Sequence, residues 1–289
     1  MMRRYSILGL FIVIALVTMA CGFSINLPVD EIKTGPTQVE DINIGIPEDL
    51  PADVEIVFGA GDLEVSSGAE DLLIDGEATY NVQDFKPEID EDGSSIRLST
   101  GELEIGGIPN IKLSDLENKW DLHLGDAAMN LKINAGAYQG NYDLGGLSLE
   151  SLEISDGAAD VRLEFSEINQ TDMRSFRYST GASNVKLSGL SNANFGLMNF
   201  RSGAGDYTLD FSGELQRDAN VIIESGVSHI VIIVPKDTNA VVTFRGGLTN
   251  VDSDSGWDVS GDTYSLSGSG PRLVIEVEMG AGSLELRSR

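Results

Sequence analysis

The sequence predicts an all-β protein: a β-solenoid of stacked rungs of about 22 residues, with an N-terminal β unit that caps or extends the stack. Glycine is the outstanding residue, with 33 copies against 8 prolines, which points to many turns between strands rather than to long helices. Gly-Ala corners recur along the chain, as GAGDLEV at 59–65, GAGDYTLDF at 203–211 and GAGSLEL at 280–286. Apolar residues flank these corners at fixed offsets, with polar residues between them.

With the corner glycine as zero, the residues five and three before it and four and six after it are apolar or aromatic. Gly59 carries Val54, Ile56, Leu63 and Val65, and Gly203 carries Met198, Phe200, Tyr207 and Leu209. Gly157, Gly181, Gly226 and Gly280 fill the same four positions, while Gly136 misses one at Gly140 and Gly247 misses one at Ser253. Such alternation describes strands with one wet face. The central corners Gly136, Gly157, Gly181, Gly203, Gly226 and Gly247 are 21, 24, 22, 23 and 21 residues apart. A unit this short cannot bury its own apolar stripe, but stacked units share one core. A sharp bend with φ > 0 calls for the glycine, and packing between identical corners calls for the small alanine. An antiparallel meander folded into a sandwich has the same frequency of strands. It gives no reason for one dipeptide at one register in every hairpin, so the solenoid is preferred.

The chain opens on MMRRYSILGLFIVIALVTMACGF. Arg3 and Arg4, the apolar run Ile7–Val17 and the small residue before Cys21 make residues 1–20 an export signal. The run is shorter than the ~20 residues of a membrane-spanning helix. Cys21, the sole cysteine, follows it directly, as in a bacterial lipoprotein signal, where the cysteine is lipidated and becomes the first residue. Thr18 departs from the leucine usual there; an uncleaved anchor and plain secretion are the alternatives. Residues 21–52, with Pro28, Pro36, Pro47 and Pro51, read as a lipid-anchored tether closing on a short strand at 42–46. Residues 53–130 form a first β unit with a hairpin around Asp92-Gly93, although 82–119 fits the repeat poorly. Residues 131–250 are the regular coils. Residues 251–289 form a C-terminal β unit or cap, where the corner spacing lengthens to 33 between Gly247 and Gly280 and DSDSGWDVSGD inserts a loop or extra hairpin. Arg287 and Arg289 put charge on the last strand, against end-to-end stacking.

Net charge is 19 − 46 = −27, and 17 − 46 = −29 without residues 1–20. Such a surface repels phosphate backbones, so nucleic acid is not expected as a partner; it attracts divalent cations and basic proteins. Cys21, His123 and His229 fall short of the four ligands of a structural zinc site, and no cofactor is expected. Glu88, Asp90 and Asp92 before Gly93 mimic the start of a calcium loop, but Ser99 stands where the bidentate glutamate belongs. Asp252, Asp254 and Asp258 around Gly256 are the other weak calcium candidates. His229 reads as a turn residue and His123 as exposed or stacked. No serine sits in a nucleophile elbow, and no catalytic residue is assigned. Trp120 and Trp257 read as core or cap, and the Asn169-Gln170-Thr171 sequon has no meaning in a bacterial source.

Several stretches carry a resemblance: GPTQVEDINI at 35–44, VEIVFGAGDLEVSSGAEDLLIDGEATYN at 54–81, NKWDLHLG at 118–125 and LKINAGAYQGNYDLGGLSLESLEI at 131–154. Together they resemble the bacterial "toast-rack" proteins of unknown function. The C-terminal half is similar to the β-solenoid domain of cell-wall-active antibiotic response proteins and proposed surface adhesins. The resemblance, from about Gly35 to the end, implies a stacked β fold at the cell envelope and carries over no catalytic or ligand residue. The expected function is therefore that of a non-enzymatic, membrane-anchored lipoprotein presenting an acidic solenoid for adhesion, scaffolding or docking to a wall polymer or envelope protein. An envelope-stress regulator that modulates a membrane sensor is the alternative, and a carbohydrate-active β-helix enzyme is a third class.

Overall fold

Alternating side chains hold each rung extended, and the glycine corner lets the strand bend without ending. The computed structural model describes residues 34–100 and 116–289, which fall in one compact unit. The expected signal, Cys21 and residues 101–115 lie outside the described residues. In chain order the strands are β1 (Gln38–Ile44), β2 (Ala52–Ser67), β3 (Ile74–Tyr80), β4 (Pro87–Asp92), β5 (Ser95–Thr100), β6 (Asn118–Leu124), β7 (Met129–Asp143) and β8 (Leu149–Glu164). They continue as β9 (Ser175–Ser188), β10 (Leu197–Asp210), β11 (Ala219–Val234), β12 (Asn239–Ser253), β13 (Asp258–Ser260), β14 (Thr263–Leu266) and β15 (Arg272–Ser288). All belong to one 15-stranded sheet. The solenoid expectation holds, with one difference: strand, corner and strand are a single bent strand of two arms.

The bent strands stack parallel and in register in the order β2-β7-β8-β9-β10-β11-β15-β12. Phe176 lies beside Met198, and Val221 beside Ile275, so each apolar position becomes a column. The columns Val54, Leu131, Leu152, Phe176, Met198, Val221 and Leu63, Val161, Val185, Tyr207, Ile230, Leu284 are buried to within 1%. Each such side chain contributes on the order of 1.5–3 kcal/mol. The return segments close each rung. Buried Asn169 ties one of them to the start of β8, with its Oδ1 accepting from Leu149 N at 2.8 Å and its Nδ2 donating to Leu149 O at 2.9 Å. The place of that asparagine in the sequon is thus taken up by structure.

The expected cause of the corner needs correction. The corner glycines themselves do not have positive φ; in the Gly-Ala-Gly corners it is the third residue that does, with φ 128° at Gly61, 148° at Gly205 and 129° at Gly282. What the corner position requires is room. A Cβ on Gly181 would lie 2.4 Å from Gly157 O, and one on Gly203 2.6 Å from Gly181 O, so the glycines form a column of close backbone approaches. The following alanines face outward: Ala137, Ala158 and Ala182 are exposed. The miss at Gly140 is filled by its neighbours, since a Cβ there would meet Tyr138 at 2.8 Å and Tyr142 at 3.0 Å.

The two ends differ from the expected boundaries. At the N-terminal end, β2 is already a full rung, and the next layer is split: β5 pairs with its first arm and β6 with its second. Thr100 and Asn118 stand in for the missing corner, with Gly59 N donating to Thr100 Oγ1 at 3.2 Å and Asn118 Nδ2 donating to Ala60 O at 2.6 Å. That division explains why 82–119 breaks the repeat. β4 and β5 make the expected hairpin through Gly93, whose φ is 62°. Antiparallel β3 and then β1 extend the second arm, so part of the expected tether is sheet, with Ile42 and Ile44 buried. At the other end, residues 251–289 are not a simple cap. β15 lies between β11 and β12, and the outermost rung is β12, whose first arm is covered by the β14–β13 hairpin. Arg287 therefore sits inside the stack, paired with Asp252 and Glu285 at 3.1 and 2.5 Å, and guards no terminal edge.

Candidate functional site

The residue before each corner glycine points to the inside of the bend. Those residues include Asp156, Thr180, Ser202 and Ser225, which make the apex polar at the middle rungs, while Phe58 and Met279 keep it apolar towards the ends. Asp156 is its centre: Tyr178 donates to Oδ2 at 2.7 Å, Tyr138 to Oδ2 at 3.4 Å, and Thr180 to Oδ1. Tyr142 donates to the Tyr138 hydroxyl at 3.0 Å, and Ser183 Oγ lies 2.6 Å from Thr180 Oγ1. Burial is the main cause that pushes the Asp156 carboxyl above its usual range, against the hydrogen bonds that lower it; burial likewise raises Tyr138, Tyr142 and Tyr178. Above its ordinary value of 3.8 the folded protein binds more protons at Asp156 than the unfolded chain, so this group's contribution falls as pH rises toward the raised value. Urea midpoints of wild type and Asp156→Asn between acid and neutral pH are expected to show wild type losing ground to the variant as pH rises. A constant difference would refute the assignment.

Outside the second arm, the residues five after each corner form a column that faces solvent. Glu64, Asn141, Arg162 and Lys186 follow one another in register along β2, β7, β8 and β9. They border a cleft of about 490 Å³, whose other walls include Ser66, Asp121, His123, Asp143 and Glu164. Arg162 and Lys186 are directly opposite each other and exposed. Among the described residues neither makes an ion pair, although Arg97, Lys119, Lys132, Arg174, Arg177, Arg201 and Arg217 all do. Like charges directly opposite on neighbouring strands cost up to ~1 kcal/mol. The cleft thus offers two uncompensated cations beside carboxylates, an arrangement suited to a ligand carrying both signs of charge.

Both histidines sit in strands. His123 Nδ1 lies 2.8 Å from Ser66 Oγ, with Asp121 Oδ1 3.9 Å from Nε2. His229, expected in a turn, stands in β11 with Nδ1 2.7 Å from Ser283 Oγ and Glu285 Oε1 3.9 Å from Nε2. In-register stacking generates this trio twice, because Ser66 is opposite His123 and His229 opposite Ser283, with a carboxylate two residues along. The stacking accounts for both trios as surface ladders.

The calcium candidates are engaged elsewhere. Asp254 accepts from Ser288 N at 2.6 Å, Ser288 Oγ at 2.8 Å and Gly256 N at 3.0 Å, while Asp252 accepts from Arg287. Asp258 is exposed on β13. Glu88, Asp90 and Asp92 lie exposed along β4. Among the described residues no group of three or more His, Cys, Asp or Glu is placed to hold a metal ion. Trp120 is fully buried against Phe58 at 5.3 Å, and Trp257 is buried at the far end, so both are core residues. No helix among the described residues is long and apolar enough to cross a membrane.

Fold and surface together define a stacked-β protein that displays columns of side chains. The chain belongs to the toast_rack family: the model of the N-terminal domain of toast_rack, DUF2154, matches residues 33–188. Among solved structures it is similar to a proposed cell adhesion protein from Clostridium sporogenes, with 19% identity, TM-score 0.45, 88% of this chain and 99% of that one covered. It is also similar to a proposed adhesin from Bacteroides fragilis, with 10% identity, TM-score 0.43 and coverage of 87% and 97%. A proposed lipid binding protein from Parabacteroides distasonis is similar at 10% identity, TM-score 0.35 and coverage of 87% and 97%. A comparison with curated proteins finds no match.

Proposed function

We infer that the protein is a non-enzymatic lipoprotein of the bacterial cell envelope, held at the membrane through Cys21, whose acidic solenoid binds a wall polymer. The observation that carries the binding role is the Arg162–Lys186 pair, stacked in register without a counter-ion on a chain of net charge −27. An anionic group seated between the two relieves their repulsion. The neighbouring Glu64, Asp121, Asp143 and Glu164 then meet amino groups of the same polymer. A purely anionic polymer is repelled by the rest of the surface, so the ligand class is a mixed-charge wall polymer.

Retention of the full-length protein on purified wall fractions tests this reading. Arg162→Glu with Lys186→Glu is expected to lower retention about tenfold, because reversing two close charges removes attraction and adds repulsion. Both side chains are exposed, so unfolding transitions are expected to stay the same. Undiminished retention of the double variant would remove the cleft from the proposal.

A further inference from the structure

The second arm of β12 is an unfinished edge. Among the described residues, every other stacked rung pairs along its second arm on both sides, but β12 pairs there only with β15, since β14 reaches no further than Thr243. Phe244 N is satisfied by Asp262 O at 2.9 Å, which marks where the hairpin's cover stops. Beyond it, the core columns run out into solvent. Val251 stands in the column whose other members Leu63, Val161, Val185, Tyr207, Ile230 and Leu284 are buried, yet it is only half-buried. On the covered first arm of the same strand, Val242 is 0% and Phe244 9% exposed. Leu248 holds the outward corner position of Ala137, Ala158 and Ala182 and adds an 86% exposed apolar side chain at the bend, while Val259 on β13 is 56% exposed. The opposite end shows the contrast: there β6, β3 and β1 complete the second arm, and Ile42 and Ile44 of the outermost strand are buried.

A row of unpaired backbone donors and acceptors over a half-open apolar column is a template for strand addition. Charge selects the occupant. Between Arg245 and Arg272 the chain carries Asp252, Asp254, Asp258 and Asp262 and no lysine or arginine. Among the described residues, Asp258 and Asp262 are exposed and free of any ion pair. A second copy of this acidic chain would bring the same sign of charge to the edge. We propose that residues 248–253 form a docking edge for an extended, basic segment of another envelope protein, which adds as a strand beside the β13–β14 hairpin. Six residues at ~3.3 Å each give such a segment about 20 Å of pairing. Alternate residues would cover Val251, and cationic ones would meet Asp258 and Asp262, since Asp252 already pairs with Arg287 and Asp254 with Ser288. The edge is separate from the Arg162–Lys186 cleft, so either proposal can fail alone.

Hydrogen exchange of the full-length protein in detergent micelles tests it, with an acetylated peptide of four Lys-Val repeats as probe and four Glu-Val repeats as control. The Lys-Val peptide is expected to slow exchange of amides 248–253 about tenfold, the signature of newly paired backbone. Added salt should weaken the effect, and Val251→Lys should abolish it. Leu248→Lys, at a side chain too exposed to threaten folding, should weaken it too. The proposal is overturned by no protection at 248–253, by protection spread over the acidic faces, or by equal protection from the Glu-Val peptide. Protection that rises with protein concentration without any probe would give the edge to a second copy instead.

Discussion

Replacing Gly205 with valine is expected to lower stability by about 3–5 kcal/mol and to broaden the unfolding transition. Gly205 ends the Gly-Ala-Gly corner of β10 at φ 148°, a conformation that L side chains resist. A Cβ there would lie 1.8 Å from Ser183 O of the adjacent rung and 2.9 Å from the Tyr207 hydroxyl. The first contact is with backbone and cannot turn away. Rungs stabilise one another mainly through nearest neighbours, so a fault at β10 separates the stack into two shorter pieces that no longer melt together. Phe200 and Tyr207 of β10 pack edge to face at 5.2 Å, and Tyr178 of β9 tilts on Phe200 at 5.5 Å, so the displaced corner also disturbs the densest aromatic contacts. Urea denaturation followed by far-ultraviolet circular dichroism measures this. A loss below about 1 kcal/mol would show that the corner does not need glycine there.

Metabolic labelling with a lipid analogue is expected to mark the wild-type chain and to leave Cys21→Ser unmarked. Cys21 is the only cysteine, so the loss should be complete. Each buried CH₂ of an acyl chain contributes about 0.8 kcal/mol, and one chain holds a protein only marginally, so stable anchoring needs more than one. Electrostatics offers no substitute, since a body of charge 17 − 46 = −29 is repelled by anionic headgroups. Absence of label on the wild type would end the lipoprotein reading while leaving the fold untouched.

The stack was legible because one offset rule covers arms far apart in the chain. Val54, Phe176 and Ile275 are separated by 122 and 99 residues of sequence yet occupy one column, and each stands five before its corner glycine. The same rule contains the cleft. Glu64, Asn141, Arg162 and Lys186 all stand five after a corner, but that outward column acquires meaning only once the rungs are known to lie in register. The polar apex around Asp156 escaped notice because the position before the corner varies, holding Phe58, Ala135, Asp156 and Thr180 on successive rungs. The order of the last rungs was not legible either. Periodicity says that β11, β12 and β15 are alike, not which of them touch. The split layer of β5 and β6 was hidden for the opposite reason, since no corner dipeptide marks a corner built from Thr100 and Asn118.

The placement of β15 between β11 and β12 has a consequence for how the molecule is made. β12 is synthesised before the seventeen residues of β15 exist. In that interval Gly226 and Gly247 stand 21 residues apart, the same spacing as the true neighbours Gly136 and Gly157, so the nascent chain has a ready but wrong partner for β11. β15, made after both, takes the place between them, so any early pairing of β11 with β12 has to give way to it. A chain without β15 would leave the facing sides of β11 and β12 both unpaired, a double edge where the finished fold has none.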